Sequence, residues 1–312
     1  MGKTLIIGAT GKQAGATARS LLKGGHEVHA LVRNPESEPA KALEAQGAVL
    51  FKGNTDDIDS IKAAIAGTSA VFWVSMPSFT DMEEEVRGTN NIVSAAQQSG
   101  SVKHLVYSTV GLMANIKQTQ LWDANPFAKV YWENKFAGEA AVRSSGLPYY
   151  TILRPMEFMS NFILPLASFQ FPDMATTGVW NSAYPPEFRN VYIDTEDIGR
   201  AAAAAVLDPE AWNGREVELG ADRISVREVV ELVSAAAGKD LKLHSYGKEE
   251  ALKVAEQNPV LLGQAVRQEY YAEKFPELYD APLEDFGLKF KTLKEFLDEN
   301  KELVVETYKN VQ

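Results

Sequence analysis

Two groups of residues in this chain have the types and spacing for chemistry. The first is Tyr131 and Lys135 in "KVYWENKFAGEAAV", four positions apart. On a helix that spacing puts both on one face. A free phenol titrates near about 10, and a neighbouring ammonium favours its phenolate form. Tyr131 thereby becomes a usable general acid or base, and Lys135 is also a candidate to hold a ribose. Taken alone, such a pair is commonly a packed tyrosine beside a solvated lysine. The second group is Gly8-Ala9-Thr10-Gly11-Lys12-Gln13-Ala14-Gly15, which follows the apolar Leu5-Ile6-Ile7. Gly8 ends a strand, and Gly11 sits where a helix starts. The orphan N–H groups and positive dipole end there attract an anion. A glycine at 11 lets a pyrophosphate approach without a Cβ in the way. Ala14 takes the place of a third glycine and is small enough for close helix–strand packing. By itself such a turn also serves only to cap a strand.

The surrounding elements decide between these readings. Strand-like runs over 4–7, 27–32, 48–52, 70–74, 104–108 and 149–153 alternate with helix-like runs over 14–23, 39–46, 58–66, 82–99 and 127–145. This alternation, with strands apolar throughout, predicts an α/β fold: a doubly wound parallel sheet covered by helices on both faces. The glycine turn then lies between the first strand and first helix of a βαβ unit, where a dinucleotide fingerprint belongs. The Tyr131/Lys135 pair lies about twenty residues past the fifth strand, on the helix expected to run beside a bound cofactor. After Arg154-Pro155 the rhythm breaks into aromatic and proline-bearing sequence. We therefore expect a dinucleotide-binding domain over 1–155 and a smaller α/β substrate lobe over 156–312. Segments near 189–220 are candidates to return to the sheet. Ser225 followed by Glu228 reads as a capping box.

The end of the second strand selects the cofactor. A carboxylate there would bind the ribose hydroxyls of NAD. The residues here are Arg33 and Asn34, and a guanidinium suits the 2′-phosphate of NADP. Lys12 adds a second cation nearby.

Composition excludes several alternatives. Lys and Arg number 31 against 42 Asp and Glu, a net charge of -11. This works against direct binding of nucleic acid or an anionic membrane. With no cysteines, disulfides, thiolate metal sites and cysteine nucleophiles are ruled out. No run nears the ~18 apolar residues of a membrane span. Thr4–Ile7 is too short for a signal peptide, and Gly2 is a poor myristoylation site. A cytoplasmic protein is expected. His26, His29, His104 and His244 show no metal-ligand spacing and read as structural. The acidic run 81–85 reads as the solvated start of a helix. The mixed-charge C-terminal helix is an alternative partner surface.

With these residues together, the chain resembles the short-chain dehydrogenase/reductase superfamily, and within it the NmrA-like branch. The resemblance rests on "GATGKQAG" at 8–15, "LVRNP" at 31–35, "KGNTDD" at 52–57, "LVYSTVG" at 105–111, "YWENKFAGEAAVRSSGLPYYTILRPMEFMSNF" at 131–162 and "YIDTEDIGRAAAAAVLDP" at 192–209. It implies a Rossmann lobe with NADP(H) on the turn formed by Gly8, Thr10, Gly11, Lys12 and Gln13. It further implies Thr55 and Asp56 near the adenine. Ser75, Met76 and Pro77 would lie by the pyrophosphate and the second ribose, and Pro155, Met156 and Phe158 near the nicotinamide. Members divide into reductases and NADPH/NADP sensors that act through a protein partner. The retained Tyr131 favours chemistry. The superfamily's catalytic Ser/Thr position aligns with Val110, leaving Ser108 or Thr109 as substitutes.

The first reading is an NADPH-dependent reductase of a hydrophobic carbonyl, enone or imine, with Tyr131 as proton donor. The alternative is a redox-sensing regulator with a protein partner. Homo-oligomerisation is open. Trp122, Phe127, Trp132, Phe158, Phe162, Phe169, Phe171 and Trp180 are candidate pocket walls or core, and Arg189 is a candidate for a substrate carboxylate.

Overall fold

A computed structural model describes residues 2–78, 80–112, 116–118, 126–255, 258–269 and 286–312. The chain forms two compact units. The first contains Met1–Met113, Pro126–Pro155 and Thr195–Glu218. The second contains the described residues of Ala114–Asn125, Met156–Asp194 and Leu219–Gln312.

The first unit opens with β1 (Lys3–Ile7), α1 (Lys12–Lys23), β2 (Glu27–Val32), α2 (Glu38–Ala45), β3 (Val49–Lys52) and α3 (Ile58–Ile65). It continues with β4 (Ala70–Val74), α4 (Glu84–Ser99), β5 (His104–Ser108), α5 (Pro126–Arg143) and β6 (Tyr149–Pro155). After β7 (Glu157–Phe158), α6 (Ala167–Gln170), α7 (Pro172–Thr177), β8 (Val179–Ser182) and β9 (Arg189–Ile193), the chain returns through α8 (Thr195–Leu207), α9 (Pro209–Trp212) and β10 (Arg215–Leu219). The sheet has seven strands in the order β10-β6-β5-β4-β1-β2-β3. β1 pairs in parallel with β2 on one side and β4 on the other, in register Leu5–His29 and Leu5–Val71. This is the Rossmann-type doubly wound arrangement, and its topological switch point falls at β1.

Strand periodicity explains how both faces are covered. Leu5 and Ile7, Val71 and Trp73, and Leu105 and Tyr107 point to one face. They pack there with Ile61 and Ile65 of α3, Ile92 and Val93 of α4 and Val142 of α5. Trp73 stacks on Tyr107 with centroids 4.6 Å apart, an arrangement worth about 1 kcal/mol beyond area burial. On the opposite face α1 packs against α8. A Cβ on Gly199 would lie 2.5 Å from the Cβ of Ala16, so only glycine permits this approach. Ala201, Ala202, Ala203 and Ala205, further along α8, are buried as well.

The expected helix over 82–99 begins two residues later, at Glu84. The Met82 carbonyl accepts from Asn134 Nδ2 at 2.7 Å, which holds it to α5.

The second unit adds β11 (Asp222–Ser225), α10 (Val226–Ala237), β12 (Lys242–Ser245), α11 (Lys248–Ala255), α12 (Pro259–Gln268), α13 (Leu293–Glu299) and α14 (Lys301–Thr307). Its sheets are β11-β9-β7 and β12-β8. Ser225 caps α10 in a reciprocal box with Glu228. The core is aromatic: Phe162 stacks on Phe171 at 5.0 Å and meets Trp180 edge-on at 5.6 Å. Phe162, Phe171 and Trp180 are buried core side chains of this unit, and Phe171 and Trp180 also line a cavity beside Pro172 and Tyr246. Phe169 is 63% exposed. Trp122 and the Phe127 side chain lie outside the described residues.

Candidate functional site

Gly8 leaves β1 with φ +69°, a left-handed conformation that favours glycine. Its N–H donates to the Leu31 carbonyl at 3.0 Å, and its own carbonyl accepts the Gly11 N–H at 2.8 Å. Gly11 is the N-cap of α1, and no side chain caps the first turn, which contains no acid. A Cβ at Gly11 would press on the Gly8 carbonyl at 3.2 Å. Gly15, rather than Ala14, makes the tightest approach: its Cβ would lie 3.0 Å from the Ala9 carbonyl. Gly8, Thr10, Gly11 and Lys12 are exposed around this helix end, while Gln13 is buried. The arrangement is an open anion cradle.

Arg33 is exposed directly after β2. Asn34 shapes the following turn: its Oδ1 accepts from Glu36 N at 3.0 Å. In the 52–57 loop, the Thr55 carbonyl accepts from Asn91 Nδ2 at 2.9 Å. Asp56 accepts from Arg87 Nε at 2.7 Å, and Arg87 also holds Asp81 at 2.8 Å. Those two hydrogen bonds push the Arg87 pKa up.

Ser75 follows β4 and is tied to β5 by its N–H to the Ser108 carbonyl, 2.8 Å. Met76 is 68% exposed, and Pro77 is half-buried. Lys135 reaches this loop from α5. Its Nζ donates to Glu85 Oε1 at 2.7 Å, Ser75 Oγ at 2.9 Å and the Ser75 carbonyl at 3.3 Å. Ser75 Oγ in turn donates to Glu85. The Lys135 and Glu85 side chains are 1% and 2% exposed. Burial lowers the Lys135 pKa, and the Glu85 charge opposes that shift. Within the acidic run read as a solvated helix start, Glu85 is the exception: it is buried and paired, whereas Glu83 is exposed. The Lys135 ammonium also lies 4.8 Å from the centre of the Tyr131 ring. Tyr131 is half-buried, with Trp132 edge-on to it at 5.3 Å.

The two candidate hydroxyls after β5 both donate inward. Ser108 Oγ donates to Gln13 Oε1 at 2.7 Å, and Thr109 Oγ1 to Glu139 Oε1 at 2.9 Å. Either would have to release that bond to orient a substrate oxygen. Val110 is half-buried and has no hydroxyl. Leu112 adopts φ +72°, and its N–H is held by Glu218 at 2.9 Å. Such an outlier persists where surrounding contacts fix it.

Glu85, Glu139, Arg154 and Glu218 were not among the expected site residues. One signal was available: Tyr131, Lys135, Glu139 and Arg143 recur at four-residue spacing and form a stripe along α5. The partners of the stripe on α4 and β6 carry no comparable local mark. Pro155 ends β6 and accepts the Gly111 N–H at 2.9 Å. Met156 and Phe158 belong to the second unit, where Phe158 pairs with Ile193 across β7 and β9. Beside them Glu157 pairs with Arg267, which donates to Tyr184 Oη at 3.2 Å. Arg189 donates to the Arg223 carbonyl at 2.7 Å. Among the described residues, no group of side chains is arranged to hold a metal, and no helix is long and apolar enough to cross a membrane.

The chain is 31% identical over 248 residues to the NmrA-like family domain-containing oxidoreductase notA of Aspergillus sp. (strain MF297-2), covering 74% of this chain and 72% of that protein. It is 27% identical to the nitrogen metabolite repression protein nmrA of Emericella nidulans, covering 75% of this chain and 65% of that protein. The fold is similar to the NADPH-dependent quinone oxidoreductase QOR2 of Escherichia coli, solved with NADPH. The TM-score is 0.69 at 20% identity, over 95% of this chain and 99% of that one. The NmrA-like family model matches residues 1–297, and the chain belongs to the NmrA-like family.

Proposed function

We propose that this protein is an NADP(H)-dependent reductase of a largely apolar carbonyl, enone or imine. The observation that carries the reading is the uncapped, acid-free N-terminus of α1 at Gly11, with Arg33 exposed at the end of the next strand. The cradle fits a pyrophosphate, and the guanidinium fits a 2′-phosphate. The oxidoreductase name of one relative and the NADPH complex of a structural neighbour support it. Gly8, Thr10, Gly11 and Gln13 would hold the pyrophosphate, Arg33 with Lys12 the 2′-phosphate, and Thr55 and Asp56 the adenine side. When bound, the cofactor supplies hydride to the electrophilic carbon. Tyr131 gives a proton to the oxygen or nitrogen of the reduced bond, and the nearby Lys135 charge favours the phenolate left behind.

A second reading, an NADP(H)-binding regulator with a protein partner, is favoured by one observation. Ser108 and Thr109 both donate inward. The repression protein among the relatives is in line with it.

The deciding experiment follows NADPH consumption with a panel of hydrophobic ketones, enones and imines, beside Tyr131→Phe. Consumption that falls at least a hundredfold in the variant, within the range of general acid–base contributions, supports the reductase. Equal turnover of the variant overturns the role of Tyr131. NADPH binding without consumption across the panel favours the regulator.

A further inference from the structure

The position expected to carry a substrate-orienting hydroxyl is Val110, and the two hydroxyls before it are engaged elsewhere. Ser108 donates to Gln13 and Thr109 to Glu139. The main chain at Val110 offers a donor of a different kind.

β5 lies between β6 and β4, and main-chain groups of successive residues in such a strand serve opposite neighbours. The pattern continues past the end of β5. The N–H groups of Thr109 and Gly111 donate to the Leu153 and Pro155 carbonyls of β6, at 2.8 and 2.9 Å. On the other side, the Ser108 carbonyl accepts from the Ser75 N–H, after β4, at 2.8 Å. Val110 therefore presents its N–H on the β4 side, one step beyond Ser75. Among the described residues this N–H meets no acceptor, so it is available to a ligand atom.

Its direction is fixed from both ends of the loop. Thr109 is held by Glu139, which Arg154 grips through hydrogen bonds of 2.9 and 2.7 Å. Leu112, at φ +72°, gives its N–H to Glu218 at 2.9 Å. A donor set in place beforehand stabilises developing charge without reorganising during the reaction. The proton donor stands nearby. Lys135 Nζ reaches the Ser75 carbonyl at 3.3 Å and lies 4.8 Å from the centre of the Tyr131 ring. Tyr131 and the Val110 N–H thus lie at the same end of the sheet, around Ser75.

We propose that the Val110 N–H is a catalytic donor that holds the substrate's carbonyl oxygen, in place of the hydroxyl this position lacks. Hydride arriving from NADPH at the carbonyl carbon drives the C=O electron pair onto oxygen. The Val110 N–H stabilises that charge until Tyr131 supplies the proton. The products are the alcohol, NADP+ and the Tyr131 phenolate. The inference rests on the reductase reading above.

The probe is the ketone or enone of the panel with the highest turnover. The first measurement uses wild-type protein carrying isotope-labelled valine, with the Val110 amide assigned by its loss in Val110→Ala. Adding the probe with NADP+, a combination that cannot turn over, should move the Val110 amide proton downfield. An amide proton unmoved by saturating probe overturns the proposal. The second measurement replaces the Val110 peptide N–H by an ester oxygen, through incorporation of the α-hydroxy acid analogue of valine, with folding followed by circular dichroism. kcat should fall about a hundredfold, the cost of losing one such donor, while KM and the NADPH dissociation constant stay near wild type. Val110→Ala keeps the N–H and should keep kcat. Wild-type kcat in the ester protein overturns the proposal. So does a loss in Val110→Ala that matches the ester, because the side chain would then be responsible. An equal loss of NADPH affinity in the ester protein overturns it too, because the loop would then serve the cofactor. If the ester protein does not fold, the amide shift decides. Wild-type protein that reduces no ketone or enone overturns the carbonyl reading on which the inference rests.

Discussion

Arg154 on β6 forks onto the carboxylate of Glu139 on α5, with its Nε at 2.9 Å and its Nη2 at 2.7 Å. Both side chains are buried. Glu139 also accepts from Thr109 at 2.9 Å and from Arg143 at 2.7 Å. One carboxylate thus joins a helix, a strand end and the loop after β5. Glu139→Ala should lower stability by about 3 kcal/mol, the low end for a broken buried pair, because Glu216 still faces Arg154. Urea unfolding at neutral pH reads this out. A loss below about 1 kcal/mol would place the network with ordinary surface pairs.

Arg33 is exposed, so its removal should leave the fold intact. Arg33→Ala is expected to weaken NADPH by about tenfold to a hundredfold, the worth of hydrogen bonds to a charged group, and to change NADH little. Fluorescence titration of both cofactors measures it. Equal weakening of the two would detach Arg33 from the 2′-phosphate.

Gly199 is the contact point between α8 and α1. Gly199→Val must force the helices apart, at a cost of about 1–3 kcal/mol. Because α1 carries the anion cradle at its start, NADPH binding should weaken as well. Thermal melts with and without NADPH separate the two effects. An unchanged melting temperature would show that the helices separate freely.

His104 lies buried on β5, with Nε2 2.9 Å from Thr151 Oγ1. Burial pushes its pKa down to about 4. The unfolded chain binds this proton near about pH 6.5 and the native protein does not until lower pH. Above both values both states are neutral. Stability should therefore fall as pH drops from about 6.5 toward 4, by about 3 kcal/mol in full. Urea midpoints across that range in wild type and His104→Gln isolate the contribution. An identical slope in the variant would exclude His104 as its source.

Much of this molecule is local and was legible along the chain. Strand periodicity, the glycines at 8 and 11, the Ser225 cap and the four-residue stripe on α5 depend on neighbours within one or two turns. Those features determined the α/β class, the anion cradle and the face shared by Tyr131 and Lys135. Tertiary structure alone decided which groups remain available for chemistry. Ser108 meets Gln13 across 95 residues of sequence, Lys135 meets Glu85 across 50, and Gly199 meets Ala16 on a helix from the other end of the unit. The same distinction separates the aromatics: Phe162, Phe171 and Trp180 form a core, whereas Phe169 faces solvent. The physical reason is that a hydroxyl, an ammonium or a ring has the same intrinsic chemistry wherever it stands. Its freedom to act is set by partners and burial that only the folded chain brings to it.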